Sequence, residues 1–181
     1  YIGREDDRAD WDAEAAARKE DVRQNFWDEA DQMFYDRKIA DDAADHFVRV
    51  STPTAFLPLF VRAATDEQAA AMAGHLSDDA YFAAPFGLPT VSTTSPEYEQ
   101  DNYWRGPVWI VTNAFAIWGL DQYNLWRESN ELRDSTLSMI AASATPWEYY
   151  DSQTGAGLGS PDFMWSGVFY LLLGSGELPM N

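Results

Sequence analysis

The chain has 181 residues, about one ordinary domain with room for a real core, and is 46% hydrophobic and 15% aromatic, which excludes a disordered segment or a coiled coil. Its 30 Asp and Glu against 12 Lys and Arg give a net charge of −18, so nucleic acid and anionic membranes would be repelled as partners. With no Cys, it has no disulfide, thiolate metal site or cysteine nucleophile.

No run of about eighteen apolar residues is present to span a bilayer, and the N-terminus lacks a basic-then-apolar leader, so the expected location is the cytoplasm. The chain begins at Tyr1 rather than Met, as a processed or truncated product would. Half of the acidic residues fall in the first fifty positions. There they alternate with Trp11, Ala15, Val22 and Phe26 at helical spacing, which predicts an amphipathic helix with a solvated acidic face, ending near Trp27 to Ala30. Met33-Phe34-Tyr35-Asp36 is short and aromatic, more a strand or tight excursion than a helix.

Thr52-Pro53 offers a cap followed by proline at the first helical position, opening a short apolar helix through Val61 that Pro58 should kink or shorten. Thr65 to Gln68 has the capping-box pattern, with Ala69, Met72, Ala73 and Leu76 as the buried stripe of the helix that follows. From Ser77 to Gln100, prolines, glycines and hydroxyl residues break any helical period, leaving a long connection that Tyr81, Phe82, Phe86 and Tyr98 should pack down. Pro107 suits the first turn of a helix running to Leu120 that is apolar on nearly every face, and a more amphipathic one should follow over Gln122 to Ala142. Ser160-Pro161 repeats the cap-plus-proline signal ahead of a last apolar helix, Asp162 to Leu173, closed by Gly174. The fold class is all-α: paired helices in a single unit, with the functional loops gathered on one face.

Two aromatic-rich segments carry the chemistry, Asp101-Asn-Tyr-Trp-Arg-Gly-Pro-Val-Trp109 and Pro146-Trp-Glu-Tyr-Tyr-Asp151. Flat rings stack on the apolar face of a pyranose, a guanidinium bonds its hydroxyls, and an isolated carboxylate can act on its glycosidic bond. Taken alone, Tyr103, Trp104 and Trp109 also read as core packing, Arg105 as a surface ion pair and Glu148 as an ordinary exposed carboxylate. The glycines at 155, 157 and 159 follow no strand and precede no Lys, so they form a turn rather than a phosphate loop. His46 and His75 have no partner at ligand spacing, Asp151 with Thr154 is too sparse for a calcium loop, and no nucleophile elbow is present. Nothing calls for a metal or a cofactor, and no oligomeric state follows from the sequence.

The string Tyr103-Trp-Arg-Gly-Pro-Val-Trp109 and the later Glu148-Tyr-Tyr-Asp151 resemble the C-terminal part of glycoside hydrolase family 63. They are joined in this by Phe34-Tyr35-Asp36, Phe56-Leu57-Pro58-Leu59, Phe86-Gly87-Leu88-Pro89-Thr90, Thr154-Gly-Ala-Gly-Leu-Gly159 and Trp165. The likeness is greatest to members that hydrolyse mannosylglycerate or glucosylglycerate. It implies an (α/α)6 toroid, as in trehalases, and an inverting hydrolysis of α-linked glucosides or mannosides. Glu148 would be the general base, and Tyr103, Trp104, Arg105 and Trp109 would bind a small-molecule sugar. The family's general acid is an Asp in a Gly-Trp-Asp segment, which would fall before Tyr1, so the chain is expected to be the C-terminal half of a toroid. A non-catalytic helical carbohydrate-binding module is the alternative.

So acidic and lysine-poor a surface should stay hydrated in strong salt. Melting temperature and solubility should therefore rise from low to multimolar salt, and a protein most stable without salt would overturn that expectation.

Overall fold

The computed structural model describes residues 7–38 and 46–176. Among these, α1 (Arg8–Asn25) is followed by a short hairpin, β1 (Trp27–Asp28) with β2 (Met33–Phe34), and by a second antiparallel pair, β3 (Asp36–Arg37) with β4 (Phe47–Val48). The helix is held by ion pairs one turn apart, including Arg18–Glu14 at 2.8 Å, and none of its residues is buried. Only Val22 and Phe26 of the expected stripe pack on the core, and Trp11 stays 69% exposed. The helix stops short of Trp27 because Trp27 pairs with Phe34 and their rings meet at 4.8 Å.

A 3₁₀ turn at Pro53–Phe56 leads into α2 (Leu57–Phe60), with Pro58 at its start as its ring permits. The capping box opens α3 (Asp66–Gly74): Gln68 N–H donates to Thr65 Oγ1 at 3.2 Å, and Thr65 N–H to Gln68 Oε1 at 2.9 Å. After it, residues 78–109 carry no helix and no strand beyond single bridges.

The core is built around α4 (Ile110–Gln122), which buries Ile110, Val111, Ile117, Trp118 and Leu120, each such side chain contributing roughly 1.5–3 kcal/mol. Gly119 lets α2 approach closely, since a Cβ there would lie 2.9 Å from both Leu59 Cβ and the Phe60 nitrogen. Contrary to the sequence reading, Pro107 does not open this helix. Val108 N–H donates to Tyr150 O at 2.7 Å and its carbonyl accepts from Tyr150 N at 2.9 Å, so Val108 is committed to a sheet contact and helix begins two residues later. Asn124, at φ 57°, makes the tight turn into α5 (Trp126–Ala142), which therefore starts later than Gln122. Across that pair Arg133 reaches Asp121 Oδ2 at 2.6 Å.

Contrary to the sequence reading, Ser160-Pro161 lies in a strand rather than at a helix cap. β5 (Trp147–Tyr150) pairs antiparallel with β6 (Gly157–Pro161), and Pro161 sits opposite Trp147 at the strand end, where a missing N–H costs little. α6 (Met164–Ser175) follows and is closed by Gly176, at φ 71°, rather than by Gly174. It packs on α4 through Phe169, whose ring lies 6.2 Å from Phe115 and 5.8 Å from Trp118, and Ser166 Oγ donates to Glu148 O at 3.3 Å, while Met164, Trp165, Val168 and Leu171 remain exposed. No described helix is long and apolar enough to cross a membrane.

One buried side chain fixes the long loop to this helical base. Asn113, fully buried in α4, accepts from Leu88 N–H at 3.1 Å and donates to Thr136 Oγ1 of α5 at 3.1 Å. Asn113→Ala should lower stability by about 1–3 kcal/mol, because a buried N–H loses its acceptor. Urea unfolding checks this, and an unchanged midpoint would contradict the role.

Candidate functional site

The two aromatic segments meet. Trp109 lies at the centre of a stack, with Trp104 parallel to it at 4.0 Å and Tyr149 at 5.3 Å. Tyr103 sets its edge against Trp109 at 5.0 Å and Tyr149 at 5.4 Å, and Trp165 adds an edge at 6.2 Å. Trp109 also donates from Nε1 to Tyr103 O at 2.8 Å, and is only 2% exposed. Both its faces are covered, so of the rings expected to meet a sugar it is the support, whereas Tyr103 and Trp104 are each more than 40% exposed.

Glu148 stands at the edge of this stack. Its Oε1 accepts from the Tyr103 hydroxyl at 3.2 Å and its Oε2 from Ser160 N–H at 3.3 Å. In a regular strand Glu148 and Tyr149 would point to opposite faces. The register shift between Trp147 and Tyr149 breaks that alternation, and both side chains reach Tyr103. Gly159, at φ 74°, leaves room beside the carboxylate: a Cβ there would lie 2.7 Å from Glu148 Oε2 and 2.6 Å from the Tyr149 ring. Tyr103 itself is held at φ 30°, an uncommon conformation for a side-chain-bearing residue. Burial pushes its hydroxyl up from the ordinary phenol pKa and the Glu148 carboxylate adds to this, so it remains a donor. The arrangement is a half-buried carboxylate, oriented by two donors beside exposed ring faces, and it is suited to taking a proton from water.

Arg105 is placed differently from Glu148 and the rings. Its guanidinium pairs with Glu97 at 2.8 Å and with Glu99, and its Nε donates to Glu97 O at 3.0 Å. It thus closes the turn that presents Tyr103 and Trp104, which is the surface-pair reading.

A second tie runs through Asp151, at the end of the Glu148 strand. Its Oδ1 accepts from Gln153 N–H at 2.7 Å, making the hairpin turn, and its Oδ2 accepts from Gln100 at 2.8 Å. Next to it Tyr98 OH and Ser152 Oγ lie 3.0 Å apart, and Phe86 N–H donates to Ser152 O at 3.1 Å. Tyr149 and Asp151 lie in the Glu148-Tyr-Tyr-Asp151 string but, like Gln100, have no role assigned from the sequence; the string itself is the signal for the first two, and Gln100 has none.

A family model described as the mannosylglycerate hydrolase MGH1-like glycoside hydrolase domain matches residues 1–166. Mannosylglycerate hydrolase MGH1 of Selaginella moellendorffii is 31% identical over 134 residues, 72% of this chain and 26% of its own length. The crystal structure of the GH63 mannosylglycerate hydrolase from Thermus thermophilus in complex with glucose superposes with a TM-score of 0.74. That match is 30% identical and covers 85% of this chain and 37% of the Thermus protein. Neutral trehalase Nth1 from Saccharomyces cerevisiae shares the fold at a TM-score of 0.74 and 23% identity, over 96% of this chain and 31% of its own. The fold is thus that of the (α/α)6 toroid enzymes, and the chain spans about a quarter of the length of the curated plant relative.

Burial presses the Asp151 carboxyl upward, but its hydrogen bonds from Gln153, Gln100 and Thr154 outweigh burial and hold it below the usual carboxylate range. A depressed folded value means stability that is present above the unfolded pKa of about 3.9 and lost as pH falls through the folded value. Asp151→Asn should therefore flatten the acid limb of the stability profile below about pH 4. Melting curves across that range test it, and an unaltered acid limb would rule out the contribution.

Proposed function

Because the chain belongs to the mannosylglycerate hydrolase MGH1-like glycoside hydrolase family, within glycoside hydrolase family 63, we propose that it hydrolyses α-linked glucosides or mannosides, with Glu148 as general base. Glucosylglycerate and mannosylglycerate are the substrates this reading favours. The observation that carries it is the Glu148 carboxylate, held between the Tyr103 hydroxyl and Ser160 N–H at the rim of the ring stack.

In this mechanism Glu148 removes a proton from a water lying on the face of the sugar opposite the leaving group. The water oxygen forms a bond to the anomeric carbon as the glycosidic C–O bond breaks. A second carboxylic acid, about 6.5–9.5 Å from the base, gives its proton to the departing oxygen, and the anomeric configuration inverts. By the family likeness that acid is an Asp in a Gly-Trp-Asp segment, a string absent from these residues. The exposed surfaces of Tyr103 and Trp104 would carry the pyranose ring, with Trp109 and Tyr149 holding them in place.

The chain is expected to be inactive without that acid; in a longer version of the protein that includes it, Glu148→Gln should reduce turnover of both glycerate glycosides by about 10²–10⁴-fold while sparing sugar binding. Release of reducing sugar measures the first and calorimetric titration with the methyl glycoside the second. Retained turnover would refute the base assignment. Proton NMR of the first-formed anomer decides the stereochemistry: an α-substrate should yield the β-sugar first.

A further inference from the structure

Glu148 sits where the β5–β6 ladder is irregular. Trp147 pairs with Pro161 but Tyr149 with Leu158, so Gly159 and Ser160 both lie opposite Glu148, a bulge of two residues against one. Gly159, at φ 74°, supplies the left-handed residue that such a bulge uses, and Ser160 turns its N–H to Glu148 Oε2. In an antiparallel ladder successive residues bond to opposite sides. Tyr150 exchanges both backbone bonds with Val108, so Tyr149 faces β6 and the Glu148 carbonyl faces the Val108 side. On that edge the chain has already turned into α4 at Ile110, and among the described residues no strand lies beside Glu148 there. The side chain that meets its carbonyl is Ser166, whose hydroxyl donates at 3.3 Å from the first turn of α6.

Ser166 is only 4% exposed, and the turn that carries it is fixed on both sides. Phe163 N–H donates to Pro146 O at 2.9 Å and Asp162 N–H to Thr145 Oγ1 at 3.2 Å, which ties the start of α6 to the residues leading into β5. Further along, Phe169 packs on Phe115 and Trp118 of α4. We propose that Ser166 is a positioning residue for the hydrolysis: by holding the Glu148 carbonyl it keeps the bulge in the form that aims the Glu148 carboxylate at Tyr103 and Ser160. Removing the hydroxyl leaves that carbonyl without its donor at a buried contact, which costs free energy unless the peptide turns toward another one. Turning the peptide swings the Cα–Cβ bond of Glu148, and the carboxylate then leaves the Tyr103 hydroxyl and Ser160 N–H together. A misplacement of about 1 Å at a reacting group can cost about a hundredfold in rate. The Ser166 hydroxyl is committed to backbone and not to a ligand, so its loss acts on turnover rather than on affinity.

The inference rests on the glycosidase reading, and its test has one readout that depends on turnover and one that does not. In a longer version of the protein that includes the general acid, Ser166→Ala should lower kcat for the glycerate glycosides about five- to fiftyfold and leave KM within about twofold. Ser166→Cys, the same size with only a weak donor, should fall between the parent and Ser166→Ala in both readouts. Leu173→Val loosens the far, buried end of the same helix, and should lower the melting temperature while kcat stays within about twofold. Amide hydrogen exchange followed by NMR supplies the second readout. Ser166→Ala should speed exchange at Ser160 about threefold or more, while Gly157 and Leu158, paired with Tyr150 and Tyr149, keep their rates. A kcat within about twofold of the parent, a loss that appears in KM alone, or exchange that rises equally at all three amides overturns the positioning role. Unchanged exchange at Ser160 overturns it too. A parent with no turnover refutes the glycosidase reading instead, and exchange at Ser160 then decides by itself whether Ser166 holds Glu148 in place.

Discussion

The site depends on one pair of backbone hydrogen bonds, in which Val108 and Tyr150 exchange N–H and C=O at 2.7 and 2.9 Å. Val108 also bridges to Pro89, and Tyr150 pairs with Gly157, so four segments from three parts of the chain meet in a narrow sheet. A slip of one residue there would turn every side chain to the opposite face. Trp109 would leave Tyr149, and Glu148 would leave Tyr103. Burial protects the register: Val108 and Tyr150 are both 0% exposed, and the Tyr150 hydroxyl accepts from Trp147 N–H at 2.9 Å, closing the strand on itself.

Around this joint the helices act as a base and the loops as the working surface, the usual division in enzymes whose scaffold is rigid. Residues 78–109 have little secondary structure of their own, yet their polar backbone is matched to fixed partners. Leu88 bonds Asn113, Gly87 N–H donates to Ser135 at 2.8 Å, and Thr90 Oγ1 both donates to Pro107 O and accepts from Gly106 N–H. These contacts replace the ladder that a sheet would supply. They allow the loop to hold Tyr103 in a strained conformation without regular structure nearby.

Local signals survived in the fold, and signals needing a distant partner did not. The Thr65–Gln68 capping box is decided within one turn, and the sequence states it in full. The apolar run of α4 is long enough that its helical character does not depend on context. Pro107 and Ser160-Pro161 both carry helix-start chemistry, yet Tyr150 and Trp147 draw their neighbourhoods into strands. The same reasoning applies to the site. The positions of Glu148 and Tyr103 were legible through a motif. Trp109 could be read from sequence either as core packing or as a sugar platform, and only the meeting of the two strings, which brings Tyr149 onto the ring already stacked with Trp104, buries it. For Arg105 the sequence left a surface ion pair and a sugar contact both open, because Glu97 and Glu99 are ordinary acids until the turn folds them back.

The aromatic stack also answers a mechanical problem. A carboxylate on a two-stranded hairpin has little to steady it, since isolated pairs of strands are marginal in water. Here the hairpin is braced on one side by the Trp109 stack and at its turn by Asp151 and Ser152, which bind it to Gln100, Tyr98 and Phe86. Tyr103 then completes the brace at the carboxylate itself. One residue thus fixes the direction of Glu148 through its hydroxyl and the position of Trp109 through its carbonyl. Ring platform and carboxylate cannot move independently, so a sugar seated on the rings is automatically aligned with the group proposed to act on it.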